Sequence, residues 1–109
     1  MIVVVGRVRT DSSKREDLVR IGTAVAAASR EEEGCIAYRL YEAADVPNEF
    51  VFVEEWRDDA ALQAHFKTPH IAEFLAAIPN AIEWPPDVKF HEVAGSRDLA
   101  EVGAGGPNR

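Results

Sequence analysis

A single cysteine among 109 residues leaves Cys35 without a partner for an internal disulfide, and one thiolate cannot build a metal cage by itself. Its simplest role is that of a small apolar side chain. No apolar run approaches the roughly 20 residues that a membrane-spanning helix needs. The start, Met1-Ile2-Val3-Val4-Val5-Gly6-Arg7, meets a charge too early for a signal peptide, so a cytoplasmic protein with no membrane partner is expected. Lys and Arg are scarce, 12 against 19 Asp and Glu, and the resulting net charge of −7 repels a polyanion from most directions. The densest basic group, Lys14, Arg15 and Arg20, is interleaved with Glu16 and Asp17, which argues against a nucleic-acid partner. Also missing are a G-x-G-x-x-G after a strand, a P-loop, a G-x-S-x-G elbow and a C-x-x-C pair, the usual marks of nucleotide-cofactor enzymes, triad hydrolases and redox thiols.

What is present is the composition of an ordinary globular domain, 47% hydrophobic and 28% charged. Residues 2–10 are β-branched and then alternate, predicting a strand. Ser13 and Glu16 have the S-x-x-E spacing of a capping box, followed by Leu18, Ile21, Val25 and Ala28 at helical spacing. Gly34 is expected to stop this helix through a positive φ. Glu31, Glu32 and Glu33 sit at its negative end and are expected to be solvated, with the last turn fraying. Residues 35–42 and 49–56 read as a hairpin of two strands around the turn-forming Asp45, Pro47 and Asn48. Asp58 caps a helix over residues 59–66, and Thr68-Pro69 restarts it as N-cap and first helical residue. Ile71, Phe74, Leu75 and Ile78 form the apolar face of that second piece, which Pro79 ends, and residues 88–93 alternate as a last strand.

This order is the split β-α-β arrangement, an α+β ferredoxin-like fold with a four-stranded antiparallel sheet and its helices on one face. The domain is assigned to residues 1–94. Residues 95–109, rich in Gly and small side chains, read as a tail that is flexible or docks Leu99 and Val102 on a partner subunit. Val3, Val5, Val51 and Val53 make the opposite face of the sheet apolar as well, and an apolar sheet face on so small a protein predicts a homodimer.

Several side chains are candidates for chemistry. Period two puts Phe50, Phe52, Glu54 and Trp56 on one face, where the phenylalanines serve as core and Trp56, at the strand end, either packs or donates its indole N–H into a pocket. Glu54 on that face would be a buried carboxylate, costly unless paired and for that reason a mark of a site, whereas Glu55 would be solvated. His65, between Leu62 and Phe66, is the first candidate base; the structural alternative is a satisfied buried histidine. His70 falls in the first turn after Pro69 and is expected to be exposed, separated from His65 by the kink. H-x-x-x-x-H across a helix break lacks the i,i+4 spacing and the third ligand of a zinc motif, so no metal is expected. Tyr38 and Tyr41 point to opposite sides of their strand. Trp84-Pro85-Pro86 either lids a pocket or fixes a chain reversal, and His91 faces away from the core.

The run Phe50-Val51-Phe52-Val53-Glu54-Glu55-Trp56-Arg57-Asp58, followed by Ala61-Leu62-Gln63-Ala64-His65 and Thr68-Pro69-His70, resembles the hallmark of antibiotic biosynthesis monooxygenase domains, and Glu33-Gly34-Cys35 fits the same pattern. The resemblance spans about residues 1 to 94. It implies a dimeric α/β barrel with a pocket between sheet and helices in each subunit. It further implies a quinol monooxygenase activity in which a small electron-rich aromatic reacts with O2 and no metal, flavin or haem takes part. By the same resemblance His65 is base or anion stabiliser, Trp56 a pocket donor, and Phe52, Phe66, Phe74 and Trp84 the walls, with Glu54 and His70 beside the substrate. A haem-degrading branch uses a first-strand asparagine with a tryptophan and a histidine, and residues 1–10 contain no asparagine. A dimeric small-molecule-binding domain without catalysis is the remaining alternative on the same fold.

Overall fold

Alternation in the first segment becomes strand β1, Ile2–Arg9, with Ile2, Val4 and Val8 buried on one side. A computed structural model describes residues 1–103; part of the predicted tail, residues 104–109, lies outside the described residues. Helix α1 spans Arg15–Arg30, strand β2 Cys35–Glu42, strand β3 Glu49–Trp56, helix α2 Asp59–His65 and helix α3 Pro69–Ala77. A 3-10 turn at Ile78–Asn80 leads to strand β4, Asp87–Glu92, and to a single-turn helix α4, Leu99–Val102. The four antiparallel strands lie in the order β2-β3-β1-β4, the predicted ferredoxin-like arrangement. No helix among the described residues is long and apolar enough to cross a membrane.

Pairing of Val4 with Glu54, Gly6 with Phe52 and Val8 with Phe50 sets the helix-facing side of the sheet. Phe50, Phe52, Glu54 and Trp56 are all buried there, beneath Leu18, Val25, Leu62, Ile71 and Ile78. On the far side Val5 pairs with Val53 and Arg7 with Val51; Val3, Val5, Val51 and Val53 are half-buried, with no helix over them. The helices cover β2, β3 and β1 but leave β4 open, so that Val88 and Phe90 remain exposed on the helix side.

Caps decide the middle of the chain. The Asp58 carboxylate accepts from Ala61 N at 2.8 Å and starts α2, and the Thr68 hydroxyl accepts from Ile71 N and starts α3 with Pro69 at its first position, both as predicted. At α1 the outcome differs. The Ser13 hydroxyl donates to Asp11 Oδ1, which also accepts from Ser13 N at 2.9 Å, so the serine closes a turn ahead of the helix and no side chain caps its first turn. The buried stripe of α1 is Leu18, Gly22, Val25, Ala26 and Ser29, rotated so that Ile21 and Ala28 lie only at its margin.

Gly34 is also used differently from expectation. Helix α1 ends at Glu31 in an ordinary helical conformation, and Gly34 has no positive φ. A Cβ at residue 34 would stand 2.2 Å from the Cβ of Ala61, so the glycine is there to let the turn after α1 touch α2. Arg57 N donates to Gly34 O at 2.9 Å and fixes that approach.

Candidate active site

The contact at Gly34 brings the end of α1 to the junction of α2 and α3, and there the site forms. Cys35 N donates to Glu32 O and Glu32 N to Ser29 O, a tight turn that aims the Glu32 side chain inward. At the other side, the Thr68 N–H and hydroxyl both donate to the carbonyl of His65, at 3.1 and 2.8 Å, locking the break between the helices. The result is a three-residue cluster: Glu32 Oε2 lies 2.7 Å from His65 Nδ1 and 2.7 Å from His70 Nε2.

This overturns two expectations. Glu32 is not solvated like its neighbours Glu31 and Glu33, and the Thr68-Pro69 break does not separate the histidines, whose rings stand 5.9 Å apart. The break turns the chain, and the turn returns His70 to the same carboxylate. His70 is half-buried instead of exposed. The missing third ligand, on which the argument against a metal motif relied, is supplied by Glu32.

His65 is almost wholly buried, its ring stacked obliquely on Trp56 with centroids 4.4 Å apart and on Tyr38 at 5.7 Å. Burial lowers its basicity against the opposing pull of Glu32. With Nδ1 held by Glu32, Nε2 has no partner. His65 is also one of the residues that line the space between the sheet and the helices.

That space is a cavity of about 270 Å³ between the sheet and α2–α3. Phe52, Ile71, Phe74 and Ile78 form its inner wall, Gly6 lies on its sheet side, and Tyr38, Glu54 and His65 are its polar groups. Phe66, Leu75, Trp84, Val88 and Phe90 also line it and are each 44–65% exposed, an apolar rim on the β4 side. Phe52, Phe66, Phe74 and Trp84, named as walls by the resemblance, all line this cavity. A second hollow, of about 370 Å³, between α1 and α3 is lined by Arg20, Glu73, His70 and apolar residues that include Ile21 and Phe74, and it reaches neither His65 nor Glu54.

Glu54 is buried, as its place on the inner face implied, and Trp56 N–H donates to Glu54 Oε1 at 3.0 Å. Burial pushes the Glu54 carboxyl up to about 7, although the Trp56 N–H and the Tyr38 hydroxyl favour its charged form. Burial, reinforced by the Glu54 charge, also pushes the Tyr38 phenol well above its ordinary value. Trp56 is fully buried and does not border the cavity: it holds Glu54 and supports the His65 ring. His70 likewise stands outside the cavity, behind His65. His91 and Glu55 lie on the far face of the sheet.

Comparison with known proteins places the chain in a wider group. Residues 1–77 match the profile of the family described as Antibiotic biosynthesis monooxygenase. The chain is 36% identical over 98 residues to the uncharacterized protein sll1783 of Synechocystis, covering 90% of this chain and 67% of that one. It is 34% identical over 94 residues to YcnE of Bacillus subtilis, provisionally named a monooxygenase, covering 86% of this chain and 99% of that one. The solved structure of Rv0793 from Mycobacterium tuberculosis superposes with a TM-score of 0.82 at 28% identity, over 89% of this chain and 98% of that one.

Proposed function

The chain belongs to the antibiotic biosynthesis monooxygenase family, and from that premise we propose that it oxidises a small electron-rich aromatic, a phenol or quinol, with O2 and without a bound cofactor. One observation carries the reading: an apolar cavity of one-small-ligand size holds an imidazole whose inner nitrogen is fixed by a carboxylate and whose outer nitrogen is free. Glu32 accepts the Nδ1–H, which leaves the Nε2 lone pair directed at the cavity and stabilises the imidazolium formed when a substrate hydroxyl gives up its proton. Tyr38 and Glu54, when protonated, donate hydrogen bonds to the phenolate oxygen.

The phenolate is electron-rich enough to reduce O2 itself. A quinol plus O2 yields a hydroxyquinone plus water: the substrate loses four electrons, one oxygen atom enters the new C–O bond, and the other leaves as water. The protein deprotonates, orients and excludes bulk water; Phe52, Phe66, Phe74 and Trp84 do the last. The uncovered valine face of the sheet supports a homodimer in which Val3, Val5, Val51 and Val53 meet their counterparts.

The test is O2 uptake with a panel of hydroxylated one- to three-ring aromatics in chelator-treated buffer. Wild type consumes O2 with at least one of them, and His65→Ala lowers kcat by about 10²–10⁴. His65→Gln, which keeps the ring's approximate volume, guards against a folding defect. Unchanged turnover in both variants removes His65 from the mechanism; tight aromatic binding without uptake by wild type across the panel makes the domain a binding module.

A further inference from the structure

We propose that Glu32, His65 and His70 form a site for one divalent transition-metal ion of the zinc class, on the side of His65 turned away from the cavity. The ligand atoms Oε2, Nδ1 and Nε2 lie within 4.8 Å of one another, and both nitrogens converge on the same oxygen. Zinc–nitrogen and zinc–oxygen distances of about 2.0–2.1 Å with tetrahedral angles set donors roughly 3.3 Å apart. Each 2.7 Å contact therefore opens by about 0.6 Å to admit an ion, and the two nitrogens, up to 4.8 Å apart, close by up to about 1.5 Å, which rotation of the half-buried Glu32 and His70 side chains supplies.

Donor chemistry selects the class. Two imidazoles and a carboxylate suit zinc, cobalt and nickel, whereas calcium and magnesium want oxygen alone. The ligands come from three backbone segments, the turn after α1, the end of α2 and the first turn of α3, and the junction between the last two is fixed by Thr68. Glu32 and His70 retain side-chain exposures of 15% and 24%, which leaves one side open for entry and for a water as fourth ligand. Neither residue lines the cavity, so the ion is held apart from any guest by the thickness of the His65 ring.

Occupancy has a consequence for the ring. Coordination at Nδ1 leaves the imidazole proton on Nε2, with no proton lost, and the atom that faces the cavity turns from acceptor to donor. The loaded protein then lacks its base. This effect on turnover rests on the reaction proposed above, but binding itself does not.

Metal-stripped full-length protein titrated with Co2+ is expected to develop the visible bands of a four-coordinate ion at one equivalent per chain, and Zn2+ is expected to displace it. Glu32→Gln and His70→Ala weaken binding at least about tenfold, with circular dichroism confirming the fold, while His91→Ala leaves it unchanged. Equal affinity in His70→Ala, or loss of binding in His91→Ala, overturns the site. Zn2+ is expected to slow quinol oxidation by wild type and to have at least tenfold less effect on His70→Ala at the same concentration. Stoichiometric binding with undiminished turnover overturns the base assignment of His65 and leaves the metal site standing.

Discussion

Replacing Glu54 by glutamine removes a buried charge whose cost can be worked from its environment. The carboxyl is pushed by burial from an ordinary 4.5 to about 7 in the folded chain. Below pH 4.5 it is protonated in both states and costs nothing. As pH rises toward 7 the unfolded chain ionises first, so the folded state loses stability; above 7 both states are ionised and the full penalty remains. At about 1.36 kcal/mol for each tenfold change in proton concentration, that penalty is about 3 kcal/mol. Glutamine keeps an acceptor for Trp56 N–H and escapes the penalty. The stability difference between Glu54→Gln and wild type is therefore expected to shift in favour of the variant by about 3 kcal/mol between pH 4.5 and pH 8, or roughly 12 °C in Tm for a domain of this size. Urea unfolding of both proteins at the two pH values measures it, and titrating groups that do not interact with Glu54 cancel in the comparison. A difference that stays constant with pH would refute the assignment of Glu54 as a buried, high-pKa carboxyl.

Two further outcomes follow from packing. Gly34→Ala forces a methyl group into the Cβ of Ala61 and is expected to destabilise the fold by about 1–3 kcal/mol, with Ala61→Gly recovering part of the loss in thermal melts; additive losses would refute the contact. Val5→Glu places a charge at the centre of the uncovered valine face, opposite Val53, and is expected to convert a dimer to a monomer in light scattering; an unchanged mass would place the subunit contact elsewhere.

Most of the fold was legible because its signals are local. Period two assigned Phe50, Phe52, Glu54 and Trp56 to one face, and the Asp58 and Thr68 caps bounded two short helices that hydrophobic spacing alone would have merged. The burial of Glu54 followed from the same period, whereas Phe52, Phe66, Phe74 and Trp84 were named as walls only through the family resemblance. Glu32 was not legible by such means. In a run of three glutamates at a helix end, each is locally equivalent, and only the closeness of Gly34 to Ala61 decides which one turns inward. A weak signal did exist: the strands beginning at Cys35 and ending at Trp56 are antiparallel neighbours, so the turn before one must lie beside the helix after the other. The role of Trp56 was missed for a related reason, since its position on the inner face does not say whether its N–H meets a guest or Glu54.

Gly6 gives the cavity an adjustable floor. It sits in mid-strand between Phe52 and Val88, and a Cβ built on it would meet their side chains at 3.7 and 3.6 Å respectively, ordinary contact distances. Alanine therefore fits there without displacing backbone, and every carbon beyond it rises into the volume that a guest would occupy. A single backbone position on the sheet side thus sets how much of the cavity stays open.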